Sequence, residues 1–191
     1  MPDPRRVAIL ISGRGSNMRA LVEKAAGYEV VLVASNKPAA EGLDYARAAG
    51  IATWALDSKT LPRREFEAEL GNALRQYDAG TIALAGFMRL LSSGFVDQWA
   101  GRIVNIHPSL LPKYPGLDTH ARAIASGDRM SGCSVHLVTE DVDAGQVLAQ
   151  AEVTIEDGDT PHSLESRILN AEHQLYPRAL AQFIARLKQE R

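Results

Sequence analysis

The stretch Val7-Ala8-Ile9-Leu10-Ile11, followed directly by Ser12-Gly13-Arg14-Gly15-Ser16-Asn17, decides the fold of this chain. Five consecutive apolar residues predict a strand that is buried on both faces, as in a parallel sheet covered by helices. The glycines allow a tight turn, and a stretch compatible with a helix follows from Met18 to about Ala26. Because the first N–H groups of a helix attract anions, the segment suits a small phosphate site with hydrogen bonds donated by Gly15, Ser16 and Asn17.

Two better-known phosphate loops do not fit this segment. A dinucleotide-binding fingerprint needs Gly or Ala three residues after Gly15, where Met18 stands. It also needs an acid at the end of the second strand, which here reads Ala34-Ser35-Asn36. A triphosphate loop ends in Gly-Lys followed by Ser or Thr, and the chain contains no Gly-Lys pair. Two interpretations stay open, a small phosphate site and a plain tight turn between strand and helix.

The alternation of strand and helix continues along the chain. Further strands are predicted at Glu29–Ser35, Ile51–Leu56, Thr81–Ala85 and Arg102–Ile106, and helices at Glu41–Ala49, Glu65–Tyr77 and Ser93–Trp99. Later segments alternate polar and apolar residues and predict antiparallel or mixed strands at Ser131–Val138 and Val147–Ile155. We therefore expect an α/β fold with a mostly parallel, twisted, Rossmann-like sheet, helices on both faces, and last strands that are antiparallel or mixed.

A long final helix is predicted from Pro161 to Lys188. Thr160 is its expected N-cap, and Pro161 suits the first helical position because its missing N–H is not needed there. Pro177 is expected to kink or interrupt the helix.

Composition excludes several classes of protein. The chain has 191 residues, 21 Lys plus Arg against 23 Asp plus Glu, and 46% hydrophobic residues. That balance excludes a disordered chain and argues against a non-specific nucleic-acid binder. The longest apolar runs fall well short of the ~20 residues of a membrane-spanning helix. The single cysteine, Cys133, forms neither an internal disulfide nor a multi-cysteine zinc site, so we expect a cytoplasmic protein.

The stretch Arg102–Pro112 places two polar residues at the end of a strand. Side chains alternate along a strand, so Asn105 and His107 point to one face, and the strand ends before Pro108. Ligands of open α/β sheets bind at this carboxyl edge. An amide that donates an N–H beside an imidazole suits the stabilisation of a developing oxyanion. The alternative is a strand-end Asn and His with purely structural roles.

An imidazolium at His107 needs a carboxylate partner near neutral pH. The loop Thr139–Gly145 offers three acids, of which Asp143 precedes the small-residue pair Ala144-Gly145, a turn that suits close approach to another segment. The residues alone do not choose among the acids, and a solvated acidic loop is the alternative.

Taken together, these motifs resemble the folate-dependent phosphoribosylglycinamide formyltransferases of purine biosynthesis over nearly the whole chain. The matching segments are Ile11–Asn17, Ser35-Asn36-Lys37, Ala85–Leu91, Asn105–Pro112 and Asp143-Ala144-Gly145. The resemblance implies transfer of a formyl group from the cosubstrate 10-formyltetrahydrofolate to the amino group of 5-phosphoribosylglycinamide, without a metal.

The resemblance also implies a role for individual residues. The catalytic group would be Asn105, His107 and Asp143. The ribonucleotide would be bound by Gly15, Ser16, Asn17 and Glu172, the last of which is a charge on the apolar stripe of the final helix. The folate would be bound by Arg63, with Arg64 as the alternative, and by Met88, Arg89, Leu90, Leu91 and Asn105. His120 would have only a surface or loop role.

We expect one domain over residues 1–191, with a ribonucleotide-binding half at 1–100 and a folate-binding and catalytic half at 101–191. Small-molecule substrates are the expected partners, with no nucleic acid and no membrane, and a homodimer stays open. A methionyl-tRNA formyltransferase would carry a further basic C-terminal domain, and a formyltetrahydrofolate hydrolase an extra N-terminal domain, so the short chain argues against both. A non-catalytic phosphate-binding module would leave Asn105, His107 and Asp143 without a role.

Overall fold

The computed structural model describes residues 2–189 of the chain. Within them, seven strands and six helices follow one another as β1 Arg6–Ile11, α1 Ser16–Glu23, β2 Glu29–Ser35, α2 Gly42–Ala48, β3 Thr53–Ala55, α3 Arg63–Gln76, β4 Thr81–Leu84, α4 Ser93–Gln98, β5 Ile103–His107, α5 Thr119–Ala125, β6 Met130–Leu137, β7 Val147–Thr154 and α6 Pro161–Gln189. None of these helices is both long enough and apolar enough to cross a membrane.

The seven strands form one sheet in the order β3-β2-β1-β4-β5-β6-β7. Strands β1 to β5 run parallel, whereas β6 pairs antiparallel with both β5 and β7. This arrangement confirms the predicted α/β fold. Strands β2 and β3 follow one another on one side of β1, whereas β4 and the later strands follow one another on the other side. A topological switch point therefore lies between β1 and β4, where open α/β sheets bind ligands.

The apolar run of β1 is buried on both faces because helices cover both sides of the sheet. Val7, Ile9 and Ile11 pack with residues of α1, α2 and α6 in one core cluster. Ala8 and Leu10 pack with residues of α3 and α4 on the other side. Side-chain alternation thus divides one run of sequence between two cores, so neither set of positions can be polar.

The last helix passes through Pro177 as one element, so of the predicted kink or interruption the interruption does not occur. A proline has no N–H to donate to the carbonyl four residues earlier, which here belongs to His173. The Lys24 ammonium, at the end of α1, donates to that carbonyl instead, at 3.1 Å. A tertiary contact therefore replaces the backbone hydrogen bond that the proline removes.

Other boundaries differ from the predicted ones by a few residues, and one helix was not predicted. Thr160 caps α6 as expected, since its Oγ1 accepts a hydrogen bond from the Ser163 N–H at 3.2 Å. Strand β3 is shorter than predicted and pairs only with β2 at the edge of the sheet. The unpredicted helix α5 has seven residues, too few to display an apolar period in the sequence.

We expect Lys24→Met to lower the free energy of unfolding by about 1 kcal/mol, because it removes the donor that the His173 carbonyl uses. Urea denaturation measures the change, and Lys59→Met, on the loop after β3, is the matched control. In a Pro177→Ala background residue 177 can donate its own N–H, so the same Lys24 substitution should cost much less. An equal cost in both backgrounds would show that Lys24 does not compensate for the proline.

Candidate active site

The carboxyl end of β5 carries the first two candidate catalytic residues. Asn105 and His107 lie two positions apart in β5 and so share one side of the strand. Because β6 is antiparallel, it places His136 opposite Asn105 and Ser134 opposite His107. Nδ2 of Asn105 lies 3.2 Å from Nε2 of His136. The change of strand direction therefore adds a second imidazole to the predicted pair.

Asp143 reaches this pair from the loop between β6 and β7. Its backbone is left-handed, with a φ of 54°. A Cβ at Gly145 would lie 1.8 Å from the carbonyl oxygen of Leu137, so only glycine lets the loop close this tightly. Closure brings Asp143 Oδ2 within 3.3 Å of His107 Nδ1. All three predicted catalytic residues thus lie together.

The surroundings of Asp143 favour its carboxylate form. Partial burial raises the pKa of this carboxyl group, but hydrogen bonds from His136 and the Gly116 N–H, with the charge of His107, hold the pKa below its ordinary value. The Gly116 N–H donates to Oδ2 at 2.8 Å. Nε2 of His136 lies 3.5 Å from Oδ1. Asp143 is therefore an anion at neutral pH.

Both ring nitrogens of His107 are engaged. Nε2 lies 2.9 Å from the carbonyl oxygen of Tyr114, which can only accept, so Nε2 carries a proton. Nδ1 faces the ionised Asp143. A carbonyl oxygen at one nitrogen and a carboxylate at the other are both hydrogen-bond acceptors, so each ring nitrogen faces an acceptor. Donation from Nε2 to a bound molecule therefore requires the ring to leave the Tyr114 carbonyl.

His136 is the residue that sequence reasoning missed. It is 2% exposed, and its Nδ1 lies 2.9 Å from the Leu137 carbonyl, so Nδ1 carries a proton. Nε2 faces both the Asn105 amide nitrogen and Asp143 Oδ1, so its role as donor or acceptor depends on the protonation state of the ring. The sequence did contain a signal for His136, because it lies in a predicted strand and a histidine buried in a strand needs polar partners.

The loop after β1 leads into α1 as predicted. Gly15 precedes the helix with a φ of 73°, and no side chain caps the helix there. The first N–H groups of α1, at Ser16 and Asn17, have no acceptor within the helix and are available to an anion. The Asn17 side chain turns inward, and its Nδ2 donates to Glu172 Oε2 at 2.6 Å. Asn17 therefore joins the predicted phosphate site to Glu172.

Glu172 is a buried acid among apolar neighbours on α6. It is 6% exposed, and Ile168 and Leu175 are buried on the same stripe of the helix. Burial raises the pKa of its carboxyl group to about 7, although the hydrogen bond from Asn17 acts in the opposite direction. A buried acid with a strongly perturbed pKa is typical of a functional site.

The predicted folate segment follows β4 and alternates in side-chain direction. Met88 and Leu90 are 71% and 62% exposed. Arg89 turns inward, and its Nη1 donates to the Ser58 carbonyl at 2.6 Å. Leu91 packs against the core beneath α3 and α4. The segment therefore presents two apolar side chains outward, but not the Arg89 guanidinium.

Arg63 and Arg64 are both exposed in the first turn of α3. They line one side of a groove of about 460 Å³ between α3 and α4. Asn105, His107 and Asp143 do not line this groove. In the part of the chain that the structure describes, no group of three or more His, Cys, Asp or Glu side chains is placed to hold a metal ion.

His120 corrects the prediction of a surface or loop role. It lies on α5 and is half-buried, with an Nδ1 that is enclosed and has no hydrogen-bond partner among the described residues. Burial lowers its pKa, Glu165 raises it, and the nearby charge of His107 lowers it further. The reason for the difference is that the unpredicted helix α5 forms here and packs against α6.

The chain is similar to proteins that are named as formyltransferases. The family described as formyl transferase matches residues 5–180. The chain is 44% identical over 182 residues to phosphoribosylglycinamide formyltransferase from Escherichia coli (strain K12), which covers 93% of this chain and 86% of that protein. A crystal structure of phosphoribosylglycinamide formyltransferase from Brucella melitensis is 51% identical, with a TM-score of 0.90 and coverage of 94% of this chain and 95% of that one.

Longer relatives contain a similar segment. The trifunctional purine biosynthetic protein adenosine-3 of Drosophila melanogaster is 49% identical over 187 residues, which is 94% of this chain. The chain spans only 14% of that protein and 18% of its Homo sapiens counterpart.

We expect the contribution of Glu172 to the stability of the chain to fall as the pH rises from about 5 to about 8, because Glu172 must ionise inside the protein. Its folded pKa of about 7 lies above its ordinary value of 4.5. The associated stability is complete below the ordinary value and is lost as the pH rises through 7. The shift corresponds to roughly 3 kcal/mol.

Glu172→Gln keeps an acceptor for Asn17 and cannot ionise, so it should remove most of this loss. Urea denaturation at the two pH values measures it, with Glu69→Gln, exposed on α3, as the control. Parallel pH profiles for the wild type and Glu172→Gln would contradict the assigned pKa.

Proposed function

The chain belongs to the formyl transferase family, and on that premise we propose that it transfers a formyl group from 10-formyltetrahydrofolate to the amino group of 5-phosphoribosylglycinamide. The product is the N-formyl ribonucleotide of purine biosynthesis, as the names of the relatives suggest. The observation that carries the proposal is the meeting of Asn105, His107 and Asp143 at the same sheet edge as the open N-terminus of α1.

The reaction needs no nucleophile from the protein. The substrate amine attacks the formyl carbon and forms a new C–N bond, which gives a tetrahedral intermediate with a negatively charged oxygen. Collapse of that intermediate breaks the bond between the formyl carbon and the folate nitrogen. One proton passes from the amine to the departing nitrogen, so the products are the formamide and tetrahydrofolate. Cys133 takes no part, since burial raises the pKa of its thiol to about 12.

Asn105 and His107 would stabilise the negatively charged oxygen. The Asn105 Nδ2 lies 3.2 Å from His136 Nε2, on the same side of β5 as His107. His107 would donate from Nε2 after leaving the Tyr114 carbonyl, with the ionised Asp143 at Nδ1 to stabilise positive charge that develops on the ring. Each such donor contributes roughly 3 kcal/mol to transition-state stabilisation in comparable sites.

Asp143 would also assist the transfer of the proton from the substrate amine to the folate nitrogen. Its lowered pKa supports a role as an anion that orients a water molecule rather than as a permanent proton store. The water would accept the proton of the attacking amine and pass it to the folate nitrogen. The Gly116 N–H, which donates to Oδ2, would hold the carboxylate in place for this transfer.

Two sets of residues would bind the substrates. The ribonucleotide would be bound by Gly15, Ser16, Asn17 and Glu172, and the buried Asn17 Oδ1 without a partner supports a hydroxyl donor from the ligand. The folate would be bound by Asn105, the Met88–Leu91 segment and Arg63. For Arg89, the inward guanidinium favours contact through the backbone.

We also propose that the protein works in the cytoplasm, because the buried Cys133 thiol is free. A homodimer stays a prediction.

One assay separates this function from its alternatives. The enzyme is mixed with 10-formyltetrahydrofolate, and folate absorbance is followed with the ribonucleotide, with methionyl-tRNA, or with water as the acceptor. We expect turnover with the ribonucleotide alone. Turnover with methionyl-tRNA or with water would assign a different formyl-group reaction, and no turnover with phosphate binding intact would support a non-catalytic module.

Asp143→Asn should lower kcat by at least about a hundredfold, because it removes the anion that faces His107 and orients the proton-transferring water. Calorimetry should show the ribonucleotide Kd unchanged, since the α1 N-terminus is untouched. Asp141→Asn is the matched control, exposed on the same loop. A kcat near that of the wild type for Asp143→Asn would exclude this role.

A further inference from the structure

The motif Ser35-Asn36-Lys37 has no role in the chemistry described above, yet Asn36 is only 6% exposed. It lies at the end of β2, next to the loop that follows β1. Its amide bonds two other buried side chains, those of Ser12 and Ser58. A buried amide with both ends engaged indicates a specific positioning task.

We propose that Ser12 and Asn36 are positioning residues that hold the folate-binding segment Met88–Leu91 in register with the phosphate loop. The inference deepens the proposed function and rests on it for the identity of the two ligands. Neither residue would touch a substrate, and both would act through the backbone of Met88.

The central contact is the Ser12 hydroxyl. Its Oγ donates to Asn36 Oδ1 at 2.5 Å, and it accepts the Met88 N–H at 2.8 Å. Because a hydroxyl has one proton, donation to Asn36 leaves its lone pairs to face Met88. Asn36 thus fixes the direction in which Ser12 can accept.

Asn36 is itself held in place by Ser58. The Asn36 Nδ2 donates to the Ser58 hydroxyl at 3.2 Å, and the Asn36 backbone carbonyl accepts from the Ser58 N–H at 3.2 Å. The Ser58 carbonyl in turn accepts from Arg89 Nη1 at 2.6 Å. The folate segment is therefore held at two adjacent residues, Met88 by Ser12 and Arg89 by Ser58.

This double attachment explains the side-chain directions in the segment. With Arg89 drawn inward over the ring of Phe66, the neighbours Met88 and Leu90 project outward. The backbone of Ser12 is also tied to the same loop, because its N–H donates to the Gly86 carbonyl at 3.1 Å. The first residue of the phosphate loop thus sets the position of the apolar surface that the folate would meet.

The location agrees with a coupling role. Ser12 follows β1 and Met88 follows β4, the two strands on either side of the topological switch point. The two predicted binding segments therefore meet where the sheet opens, and the Ser12 hydroxyl joins them directly.

Ser12→Ala tests the proposal, with Ser35→Ala as the matched control. Ser35 is 1% exposed at the end of the neighbouring strand, but its hydroxyl bonds only the backbone of Lys37. We expect Ser12→Ala to lower kcat/KM for 10-formyltetrahydrofolate about tenfold and its calorimetric affinity by a similar factor. The ribonucleotide Kd should change less than about twofold, and Ser35→Ala should leave both values unaltered.

Amide hydrogen exchange provides a readout that does not depend on catalysis. Exchange at the Met88 amide should accelerate about tenfold or more in Ser12→Ala and should not change in Ser35→Ala. Asn36→Asp, which keeps the acceptor for Ser12 and loses the donor to Ser58, should give a smaller change in the same direction. This second variant also keeps the proposal testable if Ser12→Ala does not fold.

Equal effects of Ser12→Ala and Ser35→Ala on folate binding and exchange, or no effect of either, would overturn the proposal. Loss of ribonucleotide affinity with unchanged folate affinity in Ser12→Ala would also overturn it. If the wild type transferred no formyl group, the proposed function would fail, whereas the exchange at Met88 would still decide whether Ser12 positions this segment.

Discussion

The carboxylate of Asp143 joins three segments that are far apart in the sequence. It faces His107 at the end of β5, His136 in β6 and the Gly116 N–H in the loop before α5. Its position depends on the tight passage of Gly145 past the Leu137 carbonyl. An anion placed here faces two imidazoles and accepts a backbone N–H from a third segment. The three candidate catalytic residues therefore lie together because the β6–β7 loop passes close to β6.

The sheet supplies the remaining geometry. Its parallel half ends in loops that share one edge, so the loop between β1 and α1 contacts the Met88–Leu91 segment across the switch point, through Ser12. Its antiparallel half brings His136 beside Asn105. One edge can therefore hold an anionic ligand, an apolar ligand and the groups that stabilise charge between them, without a broad basic surface or a protein nucleophile.

Much of this arrangement was predictable from the sequence, because β1, β2 and β4 are apolar on both faces and alternate with helices. The spacing of Asn105 and His107 fixed their common face, and the apolar stripe around Glu172 indicated an unusual acid. Contacts between distant segments were not predictable. Three such features depend on tertiary packing. They are the hydrogen bond from Lys24 that compensates for Pro177, the partial burial of His120 on α5, and the hydrogen bond between Met88 and Ser12. No local pattern records such packing.

We propose that this sheet edge transfers a formyl group between two small molecules. The most direct test labels the formyl carbon of 10-formyltetrahydrofolate with carbon-13 and the ribonucleotide amine with nitrogen-15, and follows both by NMR in the presence of the protein. We expect a carbon signal split by the adjacent labelled nitrogen, with tetrahydrofolate released in equal amount. A label recovered as free formate, or left on the folate, would contradict it.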